Sequence, residues 1–320
     1  MFKYFKGDLL IFTKRGLIRV DNIKNTDLIL ALNKDGVLYY EEIDEIEKVY
    51  KKKYTLNKIN FINNIDSYFI NDNIEIKAIQ NIPLNVDTKD LPDYLYYNDT
   101  KCCCNAKVGE ISSFDYIGFP TTIHKDNYST KDDNYYRYKG LLLAIGNIST
   151  YIFNNEKNNE TIDFIIAYLK DNNIYYDLID DSRNTKIYIN NNDPKESDEI
   201  NRQIKLDEIF NITKEQLKVL AGGLTELGNY LTINNKQDYY IIKYLCLLLG
   251  VSISSYYKDG FIQIKISKTL SKINFNYFNH NDLVWNKIKS IKKINNFNGN
   301  LFSLKLKTTN YYLTDVGFIS

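Results

Sequence analysis

Two histidines, His124 and His280, and four cysteines are all that this 320-residue chain offers for imidazole or thiol chemistry. Three of the cysteines are consecutive, Cys102, Cys103 and Cys104. Neighbours on an extended chain point to alternate faces, so this triplet cannot close a zinc tetrahedron, and its spacing gives no disulfide framework. It reads as structural, and neither a metal nor a cofactor is expected. Carboxylates are plentiful, but 41 Lys and Arg against 40 Asp and Glu leave a net charge of only +1. No bulk field favours nucleic acid or a membrane, and any basic surface has to be local.

The elements that would position chemistry have to come from a sizeable fold. At 37.6 kDa and 44% hydrophobic content the chain is long enough for two cores. No charged-then-apolar leader opens it, and no apolar run approaches the about 18 residues of a membrane helix. An intracellular protein, cytoplasmic or in a virion and not secreted, is expected, with no membrane partner. Asn, Lys, Ile and Tyr crowd the sequence while Met, Trp and Pro are scarce, the bias of AT-rich codons, which points to an AT-rich virus, plasmid or protist. The Asn-rich stretches 57–64 and 154–159 share that bias or form loops. Tyrosine runs at 94–97 and 135–138 are candidate contact patches, because Tyr supplies area at small entropic cost, or share the same codon bias.

An internal duplication occupies the middle. From Gly140 the order is an apolar helix end (GLLLAIGN), a strand over 148–153, a helix over 161–172 and two strands. From Gly222 it recurs as GGLTELGN, a strand over 230–233, a helix over 238–249, and SISSYY-KDG-FIQIKIS. Ile162, Ile165, Ile166 and Leu169 fall on one helical face, as do Ile241, Tyr244, Leu245 and Leu248. Gly250 is placed to end its helix in a left-handed cap, and Asp259-Gly260 between alternating runs predicts a two-residue hairpin. Residues 180–184 make the longer loop of the first copy. Each copy alone buries little, so the GLLLAIGN and GGLTELGN helices should pack together, with Gly222 and Gly223 at the contact. Each glycine costs roughly 1 kcal/mol of helix propensity against Ala.

That pairing resembles the LAGLIDADG homing endonucleases: Leu220-Ala221-Gly222 matches the motif's opening, and Gly140-Leu141-Leu142-Leu143 its looser form. The flanks resemble an intein. Gly7-Asp8-LLIFT-KRG-LIRVDNI with Asp27-Leu28-Ile29-Leu30, and a turn at 32–36, is similar to the start of a hedgehog/intein (Hint) domain. Residues 114–120 (FDYIGFP) resemble its exit into an endonuclease, and residues 282–294 with 301–320 its returning strands. The implied fold is α+β: a β-rich Hint horseshoe from residues 1–130 and 281–320. A duplicated αββαβ-type LAGLIDADG-like domain is inserted at 131–280, with repeats at about 138–195 and 214–270.

The resemblance also implies where chemistry would sit. Splicing needs a Cys or Ser nucleophile, a Thr-x-x-His element and a terminal His-Asn. Residues 1–6 contain no Cys, Ser or Thr. Ile70 and Asn73 stand at the Thr and His positions of a strand spanning 67–79, and Asn cannot shuttle a proton at neutral pH. The sequence breaks off at Ser320, and Asn310 is the family's structural turn. The nuclease needs one carboxylate before the glycine closing each interface helix, to hold divalent ions. Ile145 and Leu227 occupy those positions, and Glu226 is rotated about 100° away. The expected function is therefore a catalytically inactive, intein-derived protein kept as a structural or interaction component, with protein partners in an assembly. The alternative is a non-cutting DNA-binding protein that uses Lys186, Tyr188, Lys258, Gln263, Lys265 and Lys268 on its strands, with Asp177, Asp180, Asp181 and Asp259 nearby. An active intein or nuclease is a third reading.

Overall fold

The structure, a computed structural model, describes residues 3–33, 38–62, 64–80, 82, 86, 90–91, 94–95, 98, 103–113, 115–121, 131–146, 150–181, 183–189, 204–266, 277–280, 282–309 and 311–320. It is a mixed α+β protein with large sheets and more strand than helix. The chain divides into two compact units: Met1–His124 with Gly250–Tyr256 and Thr269–Ser320, and Lys125–Leu249 with Tyr257–Lys268.

The first unit is almost entirely strand. Its N-terminal part supplies β1 (Phe5–Lys6), β2 (Leu10–Thr13), β3 (Gly16–Arg19), β4 (Leu28–Leu32), β5 (Leu38–Phe61), β6 (Ser67–Ile70), β7 (Glu75–Ile79), β8 (Cys103–Lys107) and β9 (Tyr116–Pro120). The 24-residue β5 is longer than the sequence pattern announces, and it runs through residues 57–61 of the first Asn-rich stretch. Those residues are therefore strand and not loop, and Asn57 is buried. Gly16, at φ 112°, turns β2 into β3. Beside it the Arg15 guanidinium grips the buried Asp27 carboxylate at 2.5 and 2.6 Å. The hydrogen bonds from Arg15 hold the Asp27 carboxyl below its ordinary range, against the upward push of burial.

The second unit holds two helix–sheet copies. The first comprises α1 (Asp133–Ile145), β10 (Thr150–Asn154), α2 (Asn155–Asp171), β11 (Tyr176–Asp180) and β12 (Asn184–Ile189). The second comprises α3 (Leu206–Ile209), α4 (Lys214–Glu226), β13 (Tyr230–Ile233), α5 (Lys236–Leu248), β14 (Ser254–Lys258, of which Tyr257 and Lys258 fall in this unit) and β15 (Phe261–Lys265). Their three-stranded sheets run β10-β12-β11 and β13-β15-β14, and by this pairing β14 joins the second copy's sheet. Residues 154–159 end β10 and begin α2, with a non-helical turn at Asn158, so the second Asn-rich stretch is not a loop either. Asp132, Thr213 and Asn235 cap α1, α4 and α5 with their side chains, each satisfying a backbone N–H that helix geometry leaves without a partner. Asp259 and Gly260, at φ 51° and 83°, form the mirror-type turn expected between β14 and β15.

The first unit closes with β16 (Tyr277–His280), β17 (Leu283–Leu306), β18 (Tyr312–Thr314) and β19 (Gly317–Ile319). Strands β5 and β17 pair antiparallel over most of their length, with register shifts near Ser290, Phe297 and Leu306. The sheet runs β1-β6-β5-β17-β9-β7-β19-β18-β4-β2-β3. Its core includes Phe5, Ile11, Ile59, Ile76, Ile288 and Ile319, and Trp285 fills a second cluster with Leu91, Leu95 and Tyr116.

Candidate functional site

In the second unit, α1 and α4 meet backbone to backbone. A Cβ on Gly140 would lie 2.1 Å from the Leu220 carbonyl oxygen, and one on Gly223 would lie 2.2 Å from that of Arg137. Each glycine thus faces the residue three before the other, which makes Gly140 and Gly223 equivalent. Gly222 meets nothing within 4 Å, so it takes no part in the contact that the sequence pattern assigns to it. The repeats correspond one residue out of step with the alignment of GLLLAIGN on GGLTELGN, and Ile145 corresponds to Gly228, with Leu227 one residue earlier.

The two residues that the sequence pattern marks at these helix ends are apolar. Ile145 is the last residue of α1 before a left-handed cap at Gly146, and Leu227 is the cap residue of α4. Both pack against one cluster that includes Tyr138, Leu141, Phe153, Ile162 and Leu169. Ile145, Leu227 and Gly228 carry no side-chain group able to ligate a cation. Glu226 points instead at Arg137, which donates to its two oxygens at 2.7 and 3.0 Å, while the Thr161 hydroxyl donates at 2.7 Å. Burial pushes the Glu226 carboxyl up, but the hydrogen bonds from Arg137 and Thr161 outweigh it, and the group titrates below its ordinary value. The Arg137 guanidinium also stacks 3.9 Å from the Phe164 ring centroid. Sequence reading missed Arg137 and Thr161. Arg137 lies three residues before Gly140 and Glu226 three after Gly223, a spacing that marks them as flanking the crossing.

In the first unit, Ser320 meets Glu75, the first residue of β7, and the turn carrying Asn73 precedes that strand. Residues 67–79 form two strands, β6 and β7, parted by a turn at 71–74, instead of one strand. The Asn73 backbone N–H and side-chain amide both donate to Asn71 Oδ1, at 3.0 and 3.1 Å, and the Asn71 amide donates to the Tyr54 hydroxyl at 2.9 Å. Ser320 and Glu75 exchange backbone hydrogen bonds of 2.9 and 3.3 Å. The Ser320 hydroxyl donates to Glu75 Oε2 at 3.2 Å and accepts from Lys3 Nζ at 3.4 Å, while Tyr311 donates to the same carboxylate oxygen at 3.0 Å. Burial and the neighbouring Glu75 carboxylate push the Tyr311 hydroxyl above its ordinary value. Glu75, Tyr311 and Lys3 are further members of this neighbourhood that no spacing in the sequence announced. Serine here faces a carboxylate already engaged by a phenol. Asn310 lies outside the described residues.

The candidate nucleic-acid residues fall on both sheets of the second unit. Lys186 and Tyr188 lie outward on β12, where alternation turns Thr185, Ile187 and Ile189 inward. Across the strands Lys186 sits between Ile152 and Ile179, and Tyr188 between Thr150 and Asp177. Asp177 thus interrupts that face, whereas Asp180 accepts the Thr185 hydroxyl at 2.6 Å and Asp181 caps the loop through the Arg183 and Asn184 amides. On β15, Phe261, Gln263 and Lys265 lie outward while Ile262 and Ile264 are buried. Lys258 is exposed at the end of β14, and Lys268 lies outside the described residues. Of the tyrosine runs, Tyr136 and Tyr138 are buried and Tyr94 packs against the Trp285 cluster, Tyr135 is half-buried, and Tyr96 and Tyr97 lie outside the described residues.

Among the described residues no group of three or more His, Cys, Asp or Glu converges for a metal ion. Cys104 donates to Gln80 at 3.4 Å. No helix among them is long and apolar enough to cross a membrane. No protein-family model matches the chain, and no curated protein matches it.

Proposed function

We propose that this chain is a non-catalytic interaction protein, built on an intein-like frame with a LAGLIDADG-like duplicated insert, that works with protein partners in an assembly. The observation that carries this reading is the α1–α4 joint. Where the nuclease chemistry of that family needs two carboxylates, Ile145 and Leu227 extend the apolar core, Gly228 at the position equivalent to Ile145 has no side chain, and the nearby Glu226 is neutralised by Arg137. A cation brought there would lose hydration without gaining oxygen ligands. The Asn71–Asn73 turn supports the same reading in the first unit, since an amide at the family's imidazole position holds a turn and moves no proton. The test is incubation of the chain with pooled duplex DNA and Mg²⁺ or Mn²⁺, with intact mass followed over days. The reading expects unbroken DNA and an unchanged mass; site-specific breaks or discrete self-cleavage would remove it.

Duplex DNA binding by the two sheets is the second reading, favoured by Lys258, Gln263 and Lys265 on adjacent strands of one sheet. Asp177 on the first sheet limits it. With few phosphates neutralised, log affinity should fall with log salt at a shallow slope, about −0.9 per phosphate contact. Steep salt dependence, abolished by changing Lys258, Lys265 and Lys268 together to Glu, would put this reading first.

A further inference from the structure

The second copy's sheet presents rings as well as cations. Tyr230 on β13 is 70% exposed and Phe261 on β15 45%. Tyr230 lies across from Lys265, whose Nζ sits 5.3 Å from the ring centroid. Thr232 lies across from Gln263 and donates to its side-chain oxygen at 3.0 Å. Phe261 and Lys265 are four residues apart on one strand, so Phe261 and the Tyr230–Lys265 pair mark the two ends of the face, about 14 Å apart at ~3.4 Å per residue. Alternation puts Phe261, Gln263 and Lys265 on one side, with Ile262 and Ile264 buried behind them. The outward positions of β13 and β15 hold no carboxylate; Asp259 belongs to the turn.

We propose that this face binds single-stranded nucleic acid, by stacking unpaired bases on Tyr230 and Phe261 while Lys258 and Lys265 take the phosphates. Charge complementarity favours a polyanion over an apolar partner, because two lysines with no outward acid would be desolvated in a dry protein interface. The rings decide between the two forms of that polyanion. A duplex keeps its base faces stacked inside and offers phosphates and groove edges, for which tyrosine and phenylalanine rings do little. A single strand exposes base faces, each able to stack on an aromatic ring irrespective of sequence. The inference depends on neither unit's ancestry.

The test is fluorescence anisotropy of the full chain with labelled oligothymidylate and with a duplex of the same length. The single strand should bind at least about 10-fold tighter than the duplex, and changing Tyr230→Ala with Phe261→Ala should weaken it by roughly 30-fold or more, as expected for two lost stacking contacts. Lys258→Ala with Lys265→Ala should flatten the salt slope by about 1.4, at roughly 0.7 per phosphate of a single strand. Tyr230→Leu with Phe261→Leu keeps apolar area without the ring and should bind as weakly as the alanine pair. Ile152→Ala with Ile179→Ala, on the other sheet, should leave binding unchanged. A duplex bound as tightly as the single strand, leucine variants that bind like the parent chain, or no saturable binding to oligothymidylate would each overturn the proposal.

Discussion

Across β10, β12 and β11 of the first copy, Ile152, Lys186 and Ile179 form one outward row, and Tyr188 and Asp177 stand side by side in the next. The corresponding face of the second copy pairs Tyr230 with Lys265 and Thr232 with Gln263. Behind these faces the two copies are alike. Ile187 and Ile189 in one, and Ile262 and Ile264 in the other, are buried, each beneath a helix with an apolar stripe. Burial fixes the inward rows, because each alternate residue must fill space between sheet and helix. Solvent fixes nothing outward, so aliphatic and acidic residues stand on one sheet where aromatic and basic residues stand on the other. A shared interior thus carries two different surfaces, and only the second is suited to a base.

The sharpest way to break the proposed equivalence of the copies lies at their crossing. Gly140→Ala or Gly223→Ala should each destabilise the protein by about 3 kcal/mol or more, since the new methyl meets a backbone oxygen that cannot move aside. Gly222→Ala should change stability by no more than about 1 kcal/mol and in the favourable direction, from helix propensity alone. Chemical denaturation checks both, and equal damage at Gly222 and Gly223 would show that the crossing residue is misassigned.

Arg137→Ala should cost about 1–2 kcal/mol by leaving Glu226 with Thr161 as its remaining side-chain hydrogen-bond partner, a figure held down by the pair's partial exposure. Changing Glu226→Gln in the same chain should recover part of that loss, and a double-mutant cycle measures the coupling. Smaller still, Ile187→Val and Ile264→Val should each cost about 1 kcal/mol, while Ile179→Ala and Phe261→Ala on the outward faces should stay within about 0.5 kcal/mol. Unequal costs for the two inward isoleucines would mean that the copies differ in their cores as well as on their surfaces.

The smallest effect is one of pH. The Glu226 carboxyl titrates below its ordinary value in the folded protein, so protonation favours the unfolded chain. Its contribution is complete above the ordinary value of 4.5 and is lost as pH falls through the lower folded value. The stability difference between the parent chain and Glu226→Gln should therefore shrink in acid, as denaturant melts at a series of pH values below neutrality would show.

Much of the second unit was legible because its signals are local. Asp259-Gly260 between alternating runs fixed a hairpin, and the period of Ile162, Ile165 and Leu169 fixed a buried helix face. The first unit's long strands were not. Residues 289–300 of β17 are mostly exposed or half-buried, so no inward row marks them, and the register shifts near Ser290 and Phe297 break the alternation. Choosing Gly223 over Gly222 requires the partner helix, since both glycines look equally suited from one chain segment. Arg137 and Thr161 were illegible for a related reason: they reach Glu226 from different helices. The exposed rings of Tyr230 and Phe261 were visible as strand residues, but the tyrosine run at 135–138 drew attention to Tyr136 and Tyr138, which the fold buries.

The central claim is that the helix ends at Ile145 and Leu227 form an apolar structural joint and not a cation-holding centre. It is tested most directly by titrating Mg²⁺, Mn²⁺ and Ca²⁺ against the intact chain while following its thermal unfolding midpoint. Specific binding to the folded state would raise the midpoint in proportion to occupancy, by linkage. The predicted result is a midpoint independent of all three cations in both the parent chain and Glu226→Gln. A saturable, cation-specific rise in the parent chain that disappears in Glu226→Gln would contradict the claim and restore a metal site at the joint.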